Sequence, residues 1–152
     1  MDAFVQPLYE LADFDAIIRQ LKKPGIVQVS GCLDSQKAHF TNGLLREFPF
    51  RLIVAENDLK AKAFYEDFRL YDPEVLYYPA RDLIFYQADI HGNLLTRQRI
   101  QVLRALLERE EVTIVTSIDS CLDCLVPLAV WKEKVIKIRN DSEIDLDRMK
   151  RH

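Results

Sequence analysis

The sequence predicts an α/β protein: a parallel sheet with helices on both faces. Three observations carry that prediction. Short β-branched runs alternate with amphipathic stretches of helical period, the pattern of β-α-β units joined by right-handed crossovers. The runs are apolar at nearly every position, as strands covered on both faces require. The first run leads into Gly31-x-x-x-x-Gln36-Lys37-Ala38, where a nucleotide-binding fold of this class carries its phosphate loop.

Residues 2 to 23 read as helical, with Leu8, Leu11, Phe14, Ile17, Ile18 and Leu21 recurring on one face. Asp13 can serve as an internal N-cap, so the stretch divides into two short helices. Pro24-Gly25 stops it, and Ile26 to Val29 forms the first predicted strand. Ser35 to Phe48 is the next helix, although Gly43 costs it about 1 kcal/mol relative to alanine. Arg51 to Ala55 is the second strand, and Asp58 is placed to cap the helix that follows.

Val75 to Tyr78 reads as a third strand, ended by Pro79. Residues 80 to 93 lack a clean period and read as an irregular surface segment, with His91 as a turn residue beside Gly92-Asn93. Leu94 to Glu110 is the best helix, with Leu95, Ile100, Leu103, Leu106 and Leu107 lining one side. Val112 to Thr116 is the fourth strand, and Ile118 to Val126 a short helix ended by Pro127. Beyond it the character changes. Trp131 to Ile138 alternates charged and apolar residues, as a half-exposed antiparallel strand does, and a helix begins at Ser142. The division expected is therefore residues 1–126 as one α/β domain and 127–152 as the start of a second, α+β domain.

Composition narrows the function. The chain has 152 residues, 49% hydrophobic and 30% charged, with a net charge of −3. That suits a globular protein with a real core and does not suit one that wraps DNA or an anionic membrane. No apolar run approaches the length of a membrane span, and the N-terminus does not read as a signal, so a cytoplasmic protein is expected. Cys121 and Cys124 form a C-x-x-C, but with only three cysteines no second pair completes a zinc site. They read as two small apolar residues of a buried helix.

The loop at Gly31 has the position of a phosphate loop without its chemistry. Gln36 puts a side chain where close backbone approach to phosphate needs glycine. Ala38 lacks the hydroxyl that would ligate magnesium, and Lys37 is left as a point charge without a cradle. No acidic motif follows Val112 to Thr116. The expectation is a chain that does not hydrolyse ATP, with no catalytic residue, cofactor or metal of its own.

The order of motifs carries a resemblance. The strand and Gly31-to-Lys37 loop, then Leu52-Ile53-Val54-Ala55-Glu56-Asn57, Tyr77-Tyr78-Pro79-Ala80, a long helix and Val112-to-Ile118 resemble the N-terminal module of the bacterial transcription-repair coupling factor. That module is similar to the first domain of the excision-repair subunit UvrB, itself a RecA-like fold, and here the phosphate loop is degenerate. Arg81-Asp82 through Phe85-Tyr86, Arg97-Gln98-Arg99-Ile100 and Ile144 to Arg148 also resemble stretches of the coupling factor. The resemblance implies a non-catalytic interaction module that recruits UvrA to stalled RNA polymerase. The parent would be an ATP-driven DNA translocase, holding ATP and magnesium in its own motor. UvrA, the remainder of the coupling factor, RNA polymerase and DNA are the partners implied, with no membrane, and the UvrA-facing residues fall mainly beyond His152. The competing expectation is a UvrB-type helicase domain with residual ATP and DNA binding. For an interaction surface, the sequence offers the basic residues Arg97, Arg99 and Arg104 and the apolar residues Leu83, Phe85 and Tyr86. Glu56 and Asn57 read as a turn and cap at a strand-to-helix corner.

Overall fold

A computed structural model describes residues 4–81, 89–127 and 129–131 of the chain. Its centre is a three-stranded parallel sheet: β1 (Phe50–Ala55), β2 (Leu76–Tyr78) and β3 (Val112–Ser117), in the order β1-β3-β2. β3 is the middle strand, with Leu52 opposite Ile114 and Tyr77 opposite Val115. All six residues of β3 are buried. Val112, Ile114 and Thr116 point to one face, Thr113, Val115 and Ser117 to the other, so neither face of this strand can meet water without cost.

The helices follow from that placement. α3 (Asp58–Phe68) carries the chain from β1 across β3 to β2, and α4 (Asp89–Glu108) carries it back from β2 to β3. Crossovers of one hand running in opposite directions put their helices on opposite faces. On the first face α3 and α2 (Asp34–Leu45) bury Ala38, Ala61, Phe68, Val75, Tyr77 and Val115 together. On the second, Val102 and Ala105 of α4 pack on Leu76, Tyr78, Val112 and Ile114. The predicted class, helices on both faces of a parallel sheet, is the observed one.

The N-terminal stretch does divide in two. A 3-10 turn at Gln6–Glu10 precedes α1 (Phe14–Leu21), and Asp13 holds the N-cap position without making a side-chain cap bond. Val5, Leu8, Phe14 and Ile18 pack as a satellite cluster against Phe40 and Leu44 of α2. Gly43 has a steric reason to be glycine. A Cβ there would run into Leu8 Cδ1 and lie 2.9 Å from Phe14 Cζ.

Five expectations are corrected. Ile26 to Val29 is not a strand, and Ile26 is 94% exposed. Four residues of β propensity do not make a strand where no ladder partner takes them up. α4 begins at Asp89, five residues early, so the backbone at His91-Gly92-Asn93 is helical, not a turn. Its buried face carries Arg99, Val102 and Ala105, whereas Ile100 and Leu106 are exposed. The last helix, α5, is only Ile118–Cys121, and Trp131 lies in a helical turn, its amide bonded to the Pro127 carbonyl at 3.1 Å. The strand expected to continue to Ile138 and the helix from Ser142 lie outside the described residues.

One part of the sheet stays uncovered. Phe50, Leu52 and Val54 on the outer side of β1 are 57%, 61% and 46% exposed. The contrast with the core is testable. Phe68→Ala, at a fully buried position, should lower unfolding free energy in urea by about 3–5 kcal/mol. Phe50→Ala should change it by no more than about 0.5 kcal/mol.

Candidate functional site

In an open parallel sheet, ligands bind in the crevice beyond the carboxyl ends of the strands. Here that crevice lies beyond Ala55, Tyr78 and Ser117, and side chains of the chain itself bond across its loops. Asn57 caps α3 by accepting from the Lys60 amide at 2.9 Å. This frees Asp58, the predicted cap, to reach across the sheet. Its carboxylate accepts from the Ala80 amide at 3.1 Å and from the Ser117 hydroxyl at 3.4 Å. Ser117 caps α5 and lies 2.9 Å from the Ser120 hydroxyl. Three loops are thereby stitched at one point.

The second tie is Arg99. It is 7% exposed, so it leaves the basic surface group proposed from sequence. Its guanidinium lies over the Tyr78 ring, 4.2 Å from the centroid, and Nη1 donates to the Pro79 carbonyl at 2.8 Å. The same Nη1 lies 2.8 Å from Asp123 Oδ2, an ion pair whose angle falls short of a hydrogen bond. Among the described residues, Arg99 Nη2 and the Tyr78 hydroxyl are buried without hydrogen-bond partners. Stacking and pairing hold a charge that burial alone would expel. Arg97 and Arg104 are exposed, Arg104 bonding to Glu108 at 2.8 Å. Leu83, Phe85 and Tyr86 lie outside the described residues.

The stretch at Gly31 has been rebuilt for packing. Gly31 has φ +85°, a left-handed turn that favours glycine. Leu33 then occupies the N-cap of α2, and its amide donates to Gln36 Oε1 at 3.2 Å. Gln36 and Lys37 donate their own amides to the Leu33 carbonyl, at 2.9 and 3.2 Å. Lys37 Nζ sits 2.6 Å from Asp34 Oδ1, and that pairing holds the Asp34 carboxyl below its usual range. Ala38 is 2% exposed, inside the core beneath α2. The position where a phosphate loop keeps its magnesium-ligating hydroxyl is thus a packing position here.

Cys121 and Cys124 are exposed free thiols, not the buried pair expected, because α5 ends at Cys121 and the chain turns outward. Among the described residues no group of three His, Cys, Asp or Glu side chains could hold a metal ion. No helix among them is long and apolar enough to cross a membrane. A groove of about 250 Å³ runs along β2, lined by Tyr65, Arg69, Glu74, Gln98, Gln101 and Arg109 among others. Sequence reading missed Asp58, Ser117 and Asp123 as residues that bond across the crevice. Part of the signal was present, since Asp58 and Ser117 follow predicted strands, but a cap and a long-range tie look alike in one dimension, and Asp123 lay within the helix predicted from Ile118 to Val126.

Burial raises the Tyr77 phenol well above its ordinary value, helped by the neighbouring Asp58, and burial also raises Tyr78. Both folded-state values exceed the unfolded one near 10, so their contribution to stability is complete below pH 10 and falls as pH rises beyond it. Urea unfolding across the alkaline range should therefore show a steepening loss above about pH 10. Tyr77→Phe should flatten that loss. Asp123→Ala, which leaves Arg99 buried beside an empty position, should lower stability by about 1–3 kcal/mol. Ala38→Thr, which restores the phosphate-loop hydroxyl, should destabilise by about 1–3 kcal/mol through overpacking; urea midpoints check both.

No family model matches this chain, and no solved structure matches it. Two transcription-repair coupling factors, from two strains of Staphylococcus epidermidis, are each 25% identical to it over 124 residues. The match takes in 80% of this chain and 11% of each relative, so the chain spans about a tenth of their length. The similarity that the order of motifs implies is thus present along most of the sequence.

Proposed function

We propose, from its similarity to transcription-repair coupling factors, that this chain is a non-catalytic interaction module acting in transcription-coupled repair. One observation supports the non-catalytic part above the rest. Asp58, Ser117, Arg99 and Asp123 tie together the loops at the carboxyl ends of the strands, while Ala38 lies in the core. Phosphoryl transfer needs an open cradle of backbone amides, a lysine aimed into it and a metal-holding hydroxyl. In this chain the amides of Gln36 and Lys37 are spent on Leu33, and Lys37 is turned to Asp34.

The fold then serves as a scaffold for contacts. In a parent of the coupling-factor kind, the module would help recruit UvrA to stalled RNA polymerase, while ATP and magnesium are used by a motor elsewhere in that parent. Its exposed polar α4 face, with Arg97 and Arg104, and the bare side of β1 are surfaces free to be used.

Titration with a fluorescent ATP analogue and magnesium separates this reading from a helicase domain with residual nucleotide binding. The expected outcome is no saturation through the micromolar range, for the chain itself and for Lys37→Ala alike. Micromolar binding that disappears in Lys37→Ala would overturn the scaffold reading. For the partner, removal of this module from a whole coupling factor should leave ATP hydrolysis intact and weaken capture of purified UvrA. Undiminished capture would remove UvrA recruitment from the proposal.

A further inference from the structure

The C-x-x-C after β3 is not used by anything described above. Both thiols are free and exposed, while Cys32 is half-buried. Residues three apart on a helical turn hold their Cβ atoms about 5–6 Å apart, so a disulfide, which needs about 3.5–4.5 Å, forms between them only if the backbone of the turn shifts. Here α5 ends at Cys121, and turn bonds carry the chain only as far as Asp123, one residue short of Cys124. The Leu122 amide bonds to the Ile118 carbonyl at 3.2 Å and the Asp123 amide to the Ser120 carbonyl at 3.4 Å. The residue between Leu122 and Cys124 is Asp123, whose carboxylate faces buried Arg99. A bond between the two sulfurs would therefore enclose the residue that anchors the post-β3 turn to α4.

We infer that Cys121 and Cys124 form a vicinal dithiol that closes reversibly to an intramolecular disulfide, and that closure is coupled to the Asp123–Arg99 contact. The exchange partner is a low-molecular-weight disulfide of the glutathione class. One cysteine, as its thiolate, attacks a sulfur of that disulfide, forming a mixed disulfide and releasing one small thiol. The second cysteine attacks the protein-side sulfur and releases the other small thiol. Two protein thiols are oxidised to one disulfide while one small disulfide is reduced to two thiols, their protons passing to the departing thiolates. In a reducing compartment such a pair is a sensing element, not a structural staple.

The test uses the full chain equilibrated across a series of reduced-to-oxidised glutathione ratios, quenched with acid, alkylated and weighed. The expected product is a chain with Cys121 and Cys124 joined and no glutathione attached at either. Cys121→Ser and Cys124→Ser should each instead carry one glutathione on the remaining cysteine of the pair. A wild-type chain that carries glutathione on both cysteines, or stays reduced where the single variants react, would overturn the dithiol. Coupling is read from the ratio at half-oxidation, because a contact favoured in one redox state must shift that ratio when it is removed. Asp123→Asn should move it several-fold from the wild-type value, and an unmoved ratio would overturn the coupling. Retention of the tyrosine near-ultraviolet circular dichroism in each variant establishes that the fold is intact.

Discussion

Everything described here hangs on β3 being buried on both faces. The strand pairs with β1 along six residues and with β2 along three, and all six of its side chains are shielded. A strand in that position needs a helix on each side, which the two crossovers supply from opposite directions. Its carboxyl end then becomes the meeting point of the loops that leave all three strands. Ser117, the last residue of β3, sits in that position and contributes to the ties across it.

Bonding across the carboxyl-end crevice is the second constraint, and it is made mostly of polar contacts. Asp58 and Arg99 each reach from a helix to a backbone group of the segment following β2, Ala80 and Pro79 respectively. Burying Arg99 carries a desolvation cost, offset by the Tyr78 ring, the Pro79 carbonyl and Asp123. The result is a set of loops held by the chain itself, where related architectures leave room for a ligand. The same exchange occurs at α2. Ala38 is buried beneath it, and the Gln36 side chain accepts from the Leu33 amide at the start of that helix.

β1 shows what the fold leaves open. Its inner side joins the core through Ile53 and Ala55, but its outer side presents Phe50, Leu52 and Val54 to solvent. α4 lies over β2 and β3 on that face, through Val102 and Ala105. Ile26, expected to lie within the sheet, stays exposed as well. A chain that spans about a tenth of its coupling-factor relatives can carry apolar surface of this kind without its being a defect of the domain itself.

The sequence by itself determined the parallel α/β class, because short β-branched runs such as Val112 to Thr116 alternate with amphipathic stretches of helical period. It also placed Gln36 and Ala38 at the positions where a phosphate loop carries a glycine and a hydroxyl residue. The short helices around Asp13 and the corner at Asn57 were legible too, being local in origin. Only the tertiary structure decided which run of β propensity became a strand, since Ile26 to Val29 lacked a ladder partner. It alone decided that Arg99, among the arginines of α4, turns inward, that Asp58 crosses the sheet rather than capping its own helix, and that Cys121 and Cys124 face outward. Each of these depends on contacts between residues distant in sequence, and periodicity or spacing does not encode such contacts.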